Sequence, residues 1–308
     1  DCATVKSMPL SADRSAATRV PALIIHGGAG ADPREGREEL RRGMRAAALA
    51  GWRVLSSGGA ALDAVEAAVR ALEDDPQFNA GRGSVLNRDG MVEMDASIME
   101  GDRLQCGAVA AVPRVANPVT LARRVLDTGR HVLLVGDGAL AFARSSGIAE
   151  CDPATLITDR QRKRHAERAQ RSTIGGTVGA VALDRNGTIA AATSTGGTAG
   201  KAPGRVGDSA LIGCGTYAES SVGGVSCTGD GEAIIRVVLG HRTLAYLKDA
   251  GDPDYAAKVA VDLLVEEGRG QGGLILLDWR GRPGFASSTP LMPVAIMSPA
   301  LGEPRTPF

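Results

Sequence analysis

The order of strand-like and helix-like segments is the feature that most constrains the fold of this chain. One short apolar strand ("ALIIH", residues 22–26) is followed by two helix-like segments in succession, and four strand-like runs follow one another from residue 177 onward. A doubly wound sheet needs strands and helices that alternate along the chain, and these blocks do not alternate. The sequence therefore predicts an α+β protein in which stacked antiparallel sheets are flanked by helices.

Short sequence patterns predict the structure of individual segments. "DRNG" (184–187) predicts a hairpin between two strands, and "NRDG" (87–90) predicts another between two strand-like runs. "HVLLVG" (131–136) is typical of a buried strand. Apolar spacing through "DGEAIIRVVLGHRTLAYLKDAG" (230–251) predicts one helix, whereas "TDRQRKRHAERAQR" (158–171) has no apolar face and predicts an irregular charged linker.

Composition excludes several classes of function. The formal net charge is zero, so the chain has no bulk electrostatic attraction to nucleic acid or to an anionic membrane. Its apolar runs are far shorter than the roughly 20 residues that cross a bilayer. We expect a soluble protein, cytoplasmic or periplasmic, with neither a nucleic-acid nor a membrane partner.

Several familiar catalytic and metal motifs are missing from the sequence. It has no Cys-x-x-Cys pair, no G-x-S-x-G nucleophile elbow, no H-E-x-x-H and no phosphate-binding loop, and its four histidines share no ligand spacing. His26, at the end of the first strand, is interpreted as a turn or core residue. The sequence therefore does not favour a metal-dependent or Ser-His-Asp mechanism.

Threonine, serine and glycine are instead concentrated in four short motifs between residues 175 and 232. These are "GGT", "TSTGG", "PGRVGDS" and "SCTGDGE". Each motif alone is typical of glycine-rich hairpins, because threonine and serine suit strands and turns. Their concentration in one stretch favours a functional site.

Three motifs in the first half accompany these four: "HGGAG" (26–30), "FNAGRGSVL" (78–86) and "MDASIMEG" (94–101). In their order and spacing, from about residue 22 to about residue 285, the seven motifs closely resemble the plant-type asparaginase and isoaspartyl peptidase family of N-terminal-nucleophile hydrolases. The resemblance implies a four-layer αββα sandwich formed by one domain, residues 22–308, after an N-terminal extension of residues 1–21.

The resemblance also implies that the chain cuts its own Gly176–Thr177 bond. An α subunit would then end with a flexible linker (153–176), and a β subunit (177–308) would begin with the nucleophile Thr177. The chemistry is coherent, because a threonine hydroxyl needs a base and a free α-amine on the same residue titrates at roughly 7.7 to 8.0. Gly176 suits a bent precursor peptide, since glycine tolerates unusual backbone geometry.

Three further catalytic roles carry over from the family. Thr195 matches the threonine that hydrogen-bonds the nucleophile, although an ordinary strand residue would also suit this position. Thr228 and Gly229 match an oxyanion hole, which offers a hydroxyl and a backbone N–H to developing negative charge.

Substrate-binding roles carry over in the same way. Arg205 and Asp208 match a clamp on the substrate's free α-carboxylate and α-amine, although the two could instead pair with each other across a turn. Gly231 would add a backbone carbonyl near the amine, and Asn79 lies in a segment that the family brings near the nucleophile.

The stretch "LEDDPQFNAGR" (72–82) resembles the loop that wraps a sodium ion with main-chain carbonyls in this family; a helix end followed by a turn is the alternative. The carbonyls would belong to Leu72, Glu73, Asp75, Phe78, Ala80 and Arg82. The ion would be structural, and no cofactor is expected for catalysis.

The implied reaction is hydrolysis of β-aspartyl (isoaspartyl) dipeptides and L-asparagine by a symmetric dimer of α–β heterodimers. Two alternatives stay open: a glycosylasparaginase-type amidase, and a non-catalytic relative that binds an amino acid. Asp230 stands beside the implied oxyanion hole at a position that varies within the family, and it adds negative charge where an acidic substrate would lie.

Overall fold

The computed structural model describes residues 19–32, 36–167 and 176–308, and it is a mixed α+β protein. The strands are β1 (Ala22–His26), β2 (Met94–Glu100), β3 (Cys106–Val112), β4 (Leu133–Val135), β5 (Val178–Leu183), β6 (Ile189–Thr195), β7 (Thr216–Glu219), β8 (Gly223–Gly229), β9 (Gly272–Asp278), β10 (Pro283–Ser287) and β11 (Val294–Met297). The α-helices are α1 (Arg37–Ser56), α2 (Ala61–Asp74), α3 (Pro118–Thr128), α4 (Gly136–Ser145), α5 (Asp159–Ala166), α6 (Gly231–Val237), α7 (Leu239–Ala250) and α8 (Pro253–Glu266).

The strands form two sheets. Seven of them lie in the order β11-β1-β5-β6-β2-β3-β4, and four lie in the order β10-β9-β8-β7. Neighbouring strands are antiparallel, except that β4 runs parallel to β3. The predicted α+β class and the predominance of antiparallel pairing are confirmed.

Three apolar clusters fill the spaces between these elements. One lies between the seven-stranded sheet and helices α1 to α4, a second lies between the two sheets, and a third lies between the four-stranded sheet and helices α6 to α8. The two sheets approach each other closely at Gly224 of β8, which has no side chain. A Cβ on Gly224 would lie 2.7 Å from Ile189 Cγ2 and 2.8 Å from Val181 Cγ1, so the strand backbone itself packs against β5 and β6.

Two hairpin predictions have different outcomes. The "DRNG" turn joins β5 and β6 as predicted, and the Asp184 side chain accepts hydrogen bonds from the backbone N–H groups of Asn186 and Thr188. The "NRDG" segment does turn, because Asn87 Oδ1 accepts from Asp89 N and Met91 N. The strand predicted before it is wrong, since the run ahead of Asn87 pairs with no sheet.

Three other predictions need correction. The buried strand predicted at 131–136 is the three-residue edge strand β4, where Leu133 and Val135 are exposed. The single helix predicted at 230–251 is two helices, because Val238 takes a left-handed backbone (φ 50°) between α6 and α7. The region predicted as an irregular linker contains a short 3-10 helix, Pro153–Leu156, and helix α5, which Thr158 caps through a bond from Gln161 N.

Some predictions fall on residues outside this description. Residues 1–18, most of the predicted N-terminal extension, and residues 168–175, just ahead of the expected cleavage bond, are among them. No helix within the described ranges is long and apolar enough to cross a membrane.

Candidate active site

Thr177 immediately precedes β5 and is buried, with 4% of its surface exposed. Its hydroxyl donates a hydrogen bond of 3.1 Å to Thr195 Oγ1, at the end of β6. Thr195 Oγ1 also accepts from Gly197 N at 2.9 Å. The two threonines meet because β5 and β6 are antiparallel and Val178 lies opposite Ser194, which places Thr177, just before Val178, next to Thr195, just after Ser194.

The glycine turn after β1 lies against this edge. Gly27 and Gly28 contact the Gly176 backbone, and the next residue, Ala29, donates from its backbone N to Thr228 Oγ1 at 3.0 Å. One turn therefore contacts both the predicted cleavage bond and the predicted oxyanion threonine. Because Thr228 Oγ1 accepts this bond, its hydroxyl proton is left to donate elsewhere.

Gly229 follows Thr228 and ends strand β8 with φ 142°. A Cβ at this position would lie 2.4 Å from both Gln271 O and Gly272 Cα. Only glycine fits, since the adjoining β9 backbone fills the space. The peptide that carries the predicted oxyanion-hole N–H is consequently held against β9.

The predicted clamp residues come together around Gly231, the first residue of α6. A Cβ on Gly231 would lie 2.8 Å from Arg205 Nη2 and 2.9 Å from Asp208 Oδ1. Arg205 does not form its ion pair with Asp208; its Nε and Nη2 bind Glu232 bidentately, at 2.8 and 2.6 Å. Glu232 is a site residue that sequence reasoning missed, and the bonds from Arg205 lower its pKa.

Asp208 is almost fully buried, and burial raises the pKa of its carboxyl to about 7, although the nearby Arg205 acts in the opposite direction. Its Oδ2 has no hydrogen-bond partner within the described part of the chain. A buried carboxylate with an unpartnered oxygen favours a cationic partner, because an ammonium group would offset the free-energy cost of desolvating the carboxylate.

A second cationic side chain, Lys201, lies beside the clamp, and the sequence did not indicate it as a site residue. Its Nζ donates to Glu93 O at 2.7 Å and would lie 2.9 Å from a Cβ on Gly197. Burial lowers the pKa of Lys201, whereas the buried carboxylate of Asp95 opposes this shift. The residues adjoining Thr195 therefore face two cationic side chains, since Gly197 also lies close to Arg205.

Asn79 lies against the turn that follows Thr195, and its side chain forms no hydrogen bond with Thr177. Its Nδ2 donates to Gly197 O at 2.8 Å, and its Oδ1 accepts from Val85 N at 2.8 Å. Its own carbonyl accepts from Gly196 N at 3.0 Å. Asn79 thus fixes the turn that follows Thr195.

A row of buried hydroxyl groups, which the sequence did not indicate, crosses the space between the sheets. His26 Nε2 lies 2.8 Å from Ser226 Oγ, and Ser226 Oγ lies 2.7 Å from Thr193 Oγ1. Thr193 hydrogen-bonds Thr216, whose Oγ1 lies 2.8 Å from Ser97 Oγ. Strands β1, β2, β6, β7 and β8 each contribute one of these side chains, so no local motif marks the row.

His26 is fully buried, and this burial lowers its pKa to about 3. The imidazole is therefore neutral at working pH and serves as a core residue, as the sequence predicted. At the other end of the row, Ser97 Oγ lies 2.6 Å from the carbonyl of Ser209, the neighbour of Asp208. The row thus spans from the glycine turn at the cleavage bond to the clamp.

The predicted sodium loop lies at the end of α2. The carbonyls of Glu73 and Asp75 accept hydrogen bonds from Arg82 N at 2.8 Å and Phe78 N at 3.2 Å. A Cβ on Gly83 would lie 2.7 Å from Phe78 O. In the described ranges, no group of three or more His, Cys, Asp or Glu side chains is arranged to hold a metal.

The Glu73 side chain has a separate environment from its carbonyl. Its Oε1 accepts from Ser194 Oγ at 2.6 Å and from Val119 N at 3.0 Å. Oε2 has no partner within the described ranges, and burial raises the pKa of this carboxyl to about 8. Ser194 adjoins Thr195, so this acid supports the strand end that carries the site.

Two cavities flank the site. One, of about 430 Å³, lies on the side of Gly176, and Gly28, Asn79 and Arg160 are among its lining residues. The other, of about 580 Å³, lies beside Gly229, and Glu232 and Arg269 contribute to its wall. The threonine cluster therefore has open space on both sides.

Comparison with known proteins agrees with this geometry. Residues 19–300 match the family model described as "Asparaginase". The chain is 46% identical over 270 residues to the isoaspartyl peptidase/L-asparaginase of Danio rerio, which covers 85% of this chain and 87% of the relative. The human isoaspartyl peptidase/L-asparaginase is also 46% identical, over 85% of this chain and 88% of its own.

An archaeal relative is similar over a longer span. The plant-type L-asparaginase of Pyrococcus abyssi is 43% identical over 303 residues, which cover 92% of this chain and 98% of the relative. The family model spans every candidate site residue, and each of these relatives covers at least 85% of the chain. The chain therefore belongs to the asparaginase family.

Proposed function

We propose that this protein is an autoprocessing threonine amidohydrolase that cleaves β-aspartyl dipeptides and L-asparagine. The observation that carries the proposal is the buried hydrogen bond of 3.1 Å between the hydroxyls of Thr177 and Thr195, directly beside Gly176. The names of the relatives from Danio rerio and Homo sapiens, isoaspartyl peptidase/L-asparaginase, support the same activity.

Self-cleavage would begin with attack of Thr177 Oγ on the carbonyl carbon of Gly176. The C–N bond breaks as the nitrogen takes a proton, which leaves an ester between Gly176 and the threonine oxygen and a free α-amine on Thr177. Water then hydrolyses the ester to the Gly176 carboxylate and the restored hydroxyl. The products would be chains of residues 1–176 and 177–308.

Substrate hydrolysis would use the amine released in this way. The Thr177 amine takes the hydroxyl proton as Oγ attacks the β-carbonyl, and it returns the proton to the departing nitrogen. Ammonia or the second residue of a dipeptide leaves, and water releases aspartate from the β-aspartyl ester. The Thr228 hydroxyl and the Gly229 N–H would stabilise the oxyanion; in other acyl-transfer enzymes the loss of one such donor costs roughly 2.7 to 4 kcal/mol.

The clamp would hold the aspartyl end of the substrate. Arg205 would bind its α-carboxylate, and Asp208 would bind its α-ammonium. The support is the approach of both side chains to Gly231 and the Oδ2 atom of Asp208, which has no hydrogen-bond partner among the described residues. Lys201, buried beside Arg205, would add to the positive potential that attracts the carboxylate.

We also propose the finer architecture, a four-layer αββα sandwich of one domain. Its support is the arrangement of the three apolar clusters, which lie between helices and sheet, between the two sheets, and between sheet and helices. The cleaved halves would share these clusters, because residues from both halves contribute to the first and the second.

A structural sodium ion at residues 72–82 remains a proposal. Carbonyl oxygens suit a hard monovalent cation, and the Phe78 carbonyl faces space over Gly83 that a side chain would fill. Leu72, Glu73, Asp75, Phe78, Ala80 and Arg82 would hold the ion and stabilise the loop without entering the reaction. A higher melting temperature in sodium than in tetramethylammonium chloride at equal ionic strength would support it, and equal temperatures would contradict it.

Self-association as a dimer of heterodimers is a proposal too. The apolar edge strand β4, where Leu133 and Val135 are exposed, offers surface for a second copy. Sedimentation of the processed protein at the mass of two 308-residue units would support it; the mass of one unit would contradict it.

Intact-mass analysis and N-terminal sequencing of the purified protein test the proposed function, with Thr177→Ala alongside. We expect two chains, the second beginning Thr-Val-Gly, and an uncut variant. Ammonia release from L-asparagine and aspartate release from β-aspartyl dipeptides follow on the same preparation. A wild-type chain that stays whole would indicate a non-catalytic relative, and turnover confined to glycosylasparagine would indicate the other amidase branch.

A further inference from the structure

The cavity of about 580 Å³ beside Gly229 has no part in the reaction as derived above. Its wall includes Thr198, Gly229, Asp230, Glu232, Arg269 and Gln271. Gly229 belongs to the oxyanion hole and Glu232 to the clamp, so the cavity is continuous with both. When the scissile carbonyl of a substrate lies at Gly229 and its aspartyl end lies in the clamp, only the leaving group still needs a binding site.

The loop that carries Arg269 is fixed by its neighbours. Arg236 Nη2 donates to Gly268 O at 2.6 Å, and Gly270 N donates to Leu264 O at 3.1 Å. Asp230 N donates to Gln271 O at 2.8 Å, and this same carbonyl fills the space over Gly229. The loop therefore lies against the oxyanion glycine, and it holds the Arg269 backbone in a defined place.

Arg269 itself has an unusual backbone. Its φ is 53°, in the left-handed region that favours glycine, although glycines stand on either side of it in the sequence. An arginine side chain is thus present where glycine would be conformationally easier. Backbone strain at such a position is a reason to look for a function.

The charge of Arg269 is not paired within the described part of the chain. Of the described residues that line the cavity, Arg269 is the only cation, and it has no ion pair or hydrogen bond within the described ranges. Of the two acids on the same wall, Glu232 forms an ion pair with Arg205, and Asp230 accepts a capping bond from Ala233 N at the start of α6. The guanidinium is therefore available for an anion that enters the cavity.

We propose that Arg269 is a specificity-determining residue that binds the α-carboxylate of the leaving residue of a β-aspartyl dipeptide. The inference rests on the proposed function and deepens it. The leaving residue of such a dipeptide carries its carboxylate one carbon from the scissile nitrogen, whereas L-asparagine releases ammonia and has no group for this subsite. Arg269 consequently favours dipeptides that have a free C-terminus.

The test compares β-aspartyl-leucine with its C-terminal amide, which removes only the carboxylate charge. In the wild type we expect kcat/KM for the acid to exceed that for the amide by about tenfold, the effect of one hydrogen bond to a charged group. Arg269→Gly relieves the left-handed backbone and removes the charge, so it should fold, and its acid-to-amide ratio should fall to about one. Arg269→Lys should retain most of the ratio.

Arg53→Ala serves as the matched control, since it removes an exposed arginine from α1, on the far side of the seven-stranded sheet. Its acid-to-amide ratio should equal that of the wild type. A wild-type ratio of one, or a ratio that survives in Arg269→Gly, would overturn the inference while L-asparagine is still hydrolysed. Failure of the wild type to hydrolyse L-asparagine and both dipeptides would instead overturn the proposed function.

Discussion

The backbone of Gly176 occupies the space that a side chain on Gly28 would need. A Cβ on Gly28 would lie 2.1 Å from Gly176 Cα and 2.4 Å from its carbonyl carbon, and Gly28 has φ 102°. The turn after β1 thus presses directly on the carbonyl that Thr177 would attack. Position 28 therefore requires glycine because of a residue 148 positions further along the chain.

Gly28→Ala should therefore block self-cleavage without removing any catalytic group. The added methyl displaces the Gly176 carbonyl from Thr177 Oγ, and a misplacement of about 1 Å can cost roughly 100-fold in rate. Gel analysis of the fraction cut against time measures the effect. Gly138→Ala, on α4 with nothing within 4 Å and no positive φ, is the control and should be cut like the wild type. Cleavage of Gly28→Ala at the wild-type rate would contradict the prediction.

The row of hydroxyls between the sheets should contribute to stability. Ser226→Ala removes the side-chain partner of the buried His26 Nε2, and an unsatisfied buried polar group costs about 1–3 kcal/mol. Urea denaturation should show a lower midpoint. Ser145→Ala, which removes an exposed hydroxyl that bonds its own helix, should shift the midpoint little. An unchanged midpoint for Ser226→Ala would show that the row is not a stabilising connection.

The resemblance could assign the proposed nucleophile and its neighbours because each of them stands in a short motif that can be read from the sequence. Thr177, Thr195, Thr228 and Gly229 each stand at a strand end within a short glycine-containing motif, and antiparallel pairing then brings Thr177 and Thr195 together. Glu73 carries no such signal. Its hydroxyl partner, Ser194, is 121 positions away, so its buried state and its raised pKa depend wholly on tertiary packing.

The errors in predicted secondary structure have the same origin. Apolar spacing continues through Val238, but the backbone N–H groups of Gly240 and His241 donate to the carbonyls of Cys214 and Gly213, and these bonds break the helix. Likewise "HVLLVG" has the composition of a buried strand. Its place at the edge of the seven-stranded sheet leaves Leu133 exposed, and edge position is a property of the whole sheet.

The Glu73 carboxyl should make stability depend on pH. Burial raises its pKa from 4.5 to about 8, so between these values the folded state binds a proton that the unfolded state has released. The free energy of unfolding consequently falls as pH rises through this window and levels off above it. Glu73→Gln, which mimics the protonated acid, removes this term.

Denaturant unfolding at pH 5.5 and 7.5 measures the Glu73 effect. The wild type should lose about 2 kcal/mol more than Glu73→Gln between the two pH values, since one unit of pKa corresponds to roughly 1.4 kcal/mol. Other titrating groups are common to both proteins and cancel in the difference. Equal losses in the two proteins would show that Glu73 is ionised in the folded state.

The clamp predicts a pH dependence that appears in KM. Asp208 must be ionised to bind the substrate ammonium, and burial raises its pKa to about 7. KM for L-asparagine should therefore fall as pH rises from 6 to 8. The Thr177 amine must be neutral to act as a base, and with a pKa of roughly 7.7 to 8.0 it gives a separate acidic limb, which should appear in kcat.

Asp208→Asn separates these two limbs. It keeps the size of the side chain but loses the charge, so KM should rise about 10- to 100-fold and become independent of pH, because a hydrogen bond to a charged group contributes roughly 1.5 to 3 kcal/mol. The acidic limb of kcat should remain, since Thr177 is untouched. If both limbs disappeared together, Asp208 would be controlling the nucleophile rather than the substrate amine. If KM of the wild type did not vary with pH, the carboxyl would already be ionised throughout, and the ammonium would have another partner.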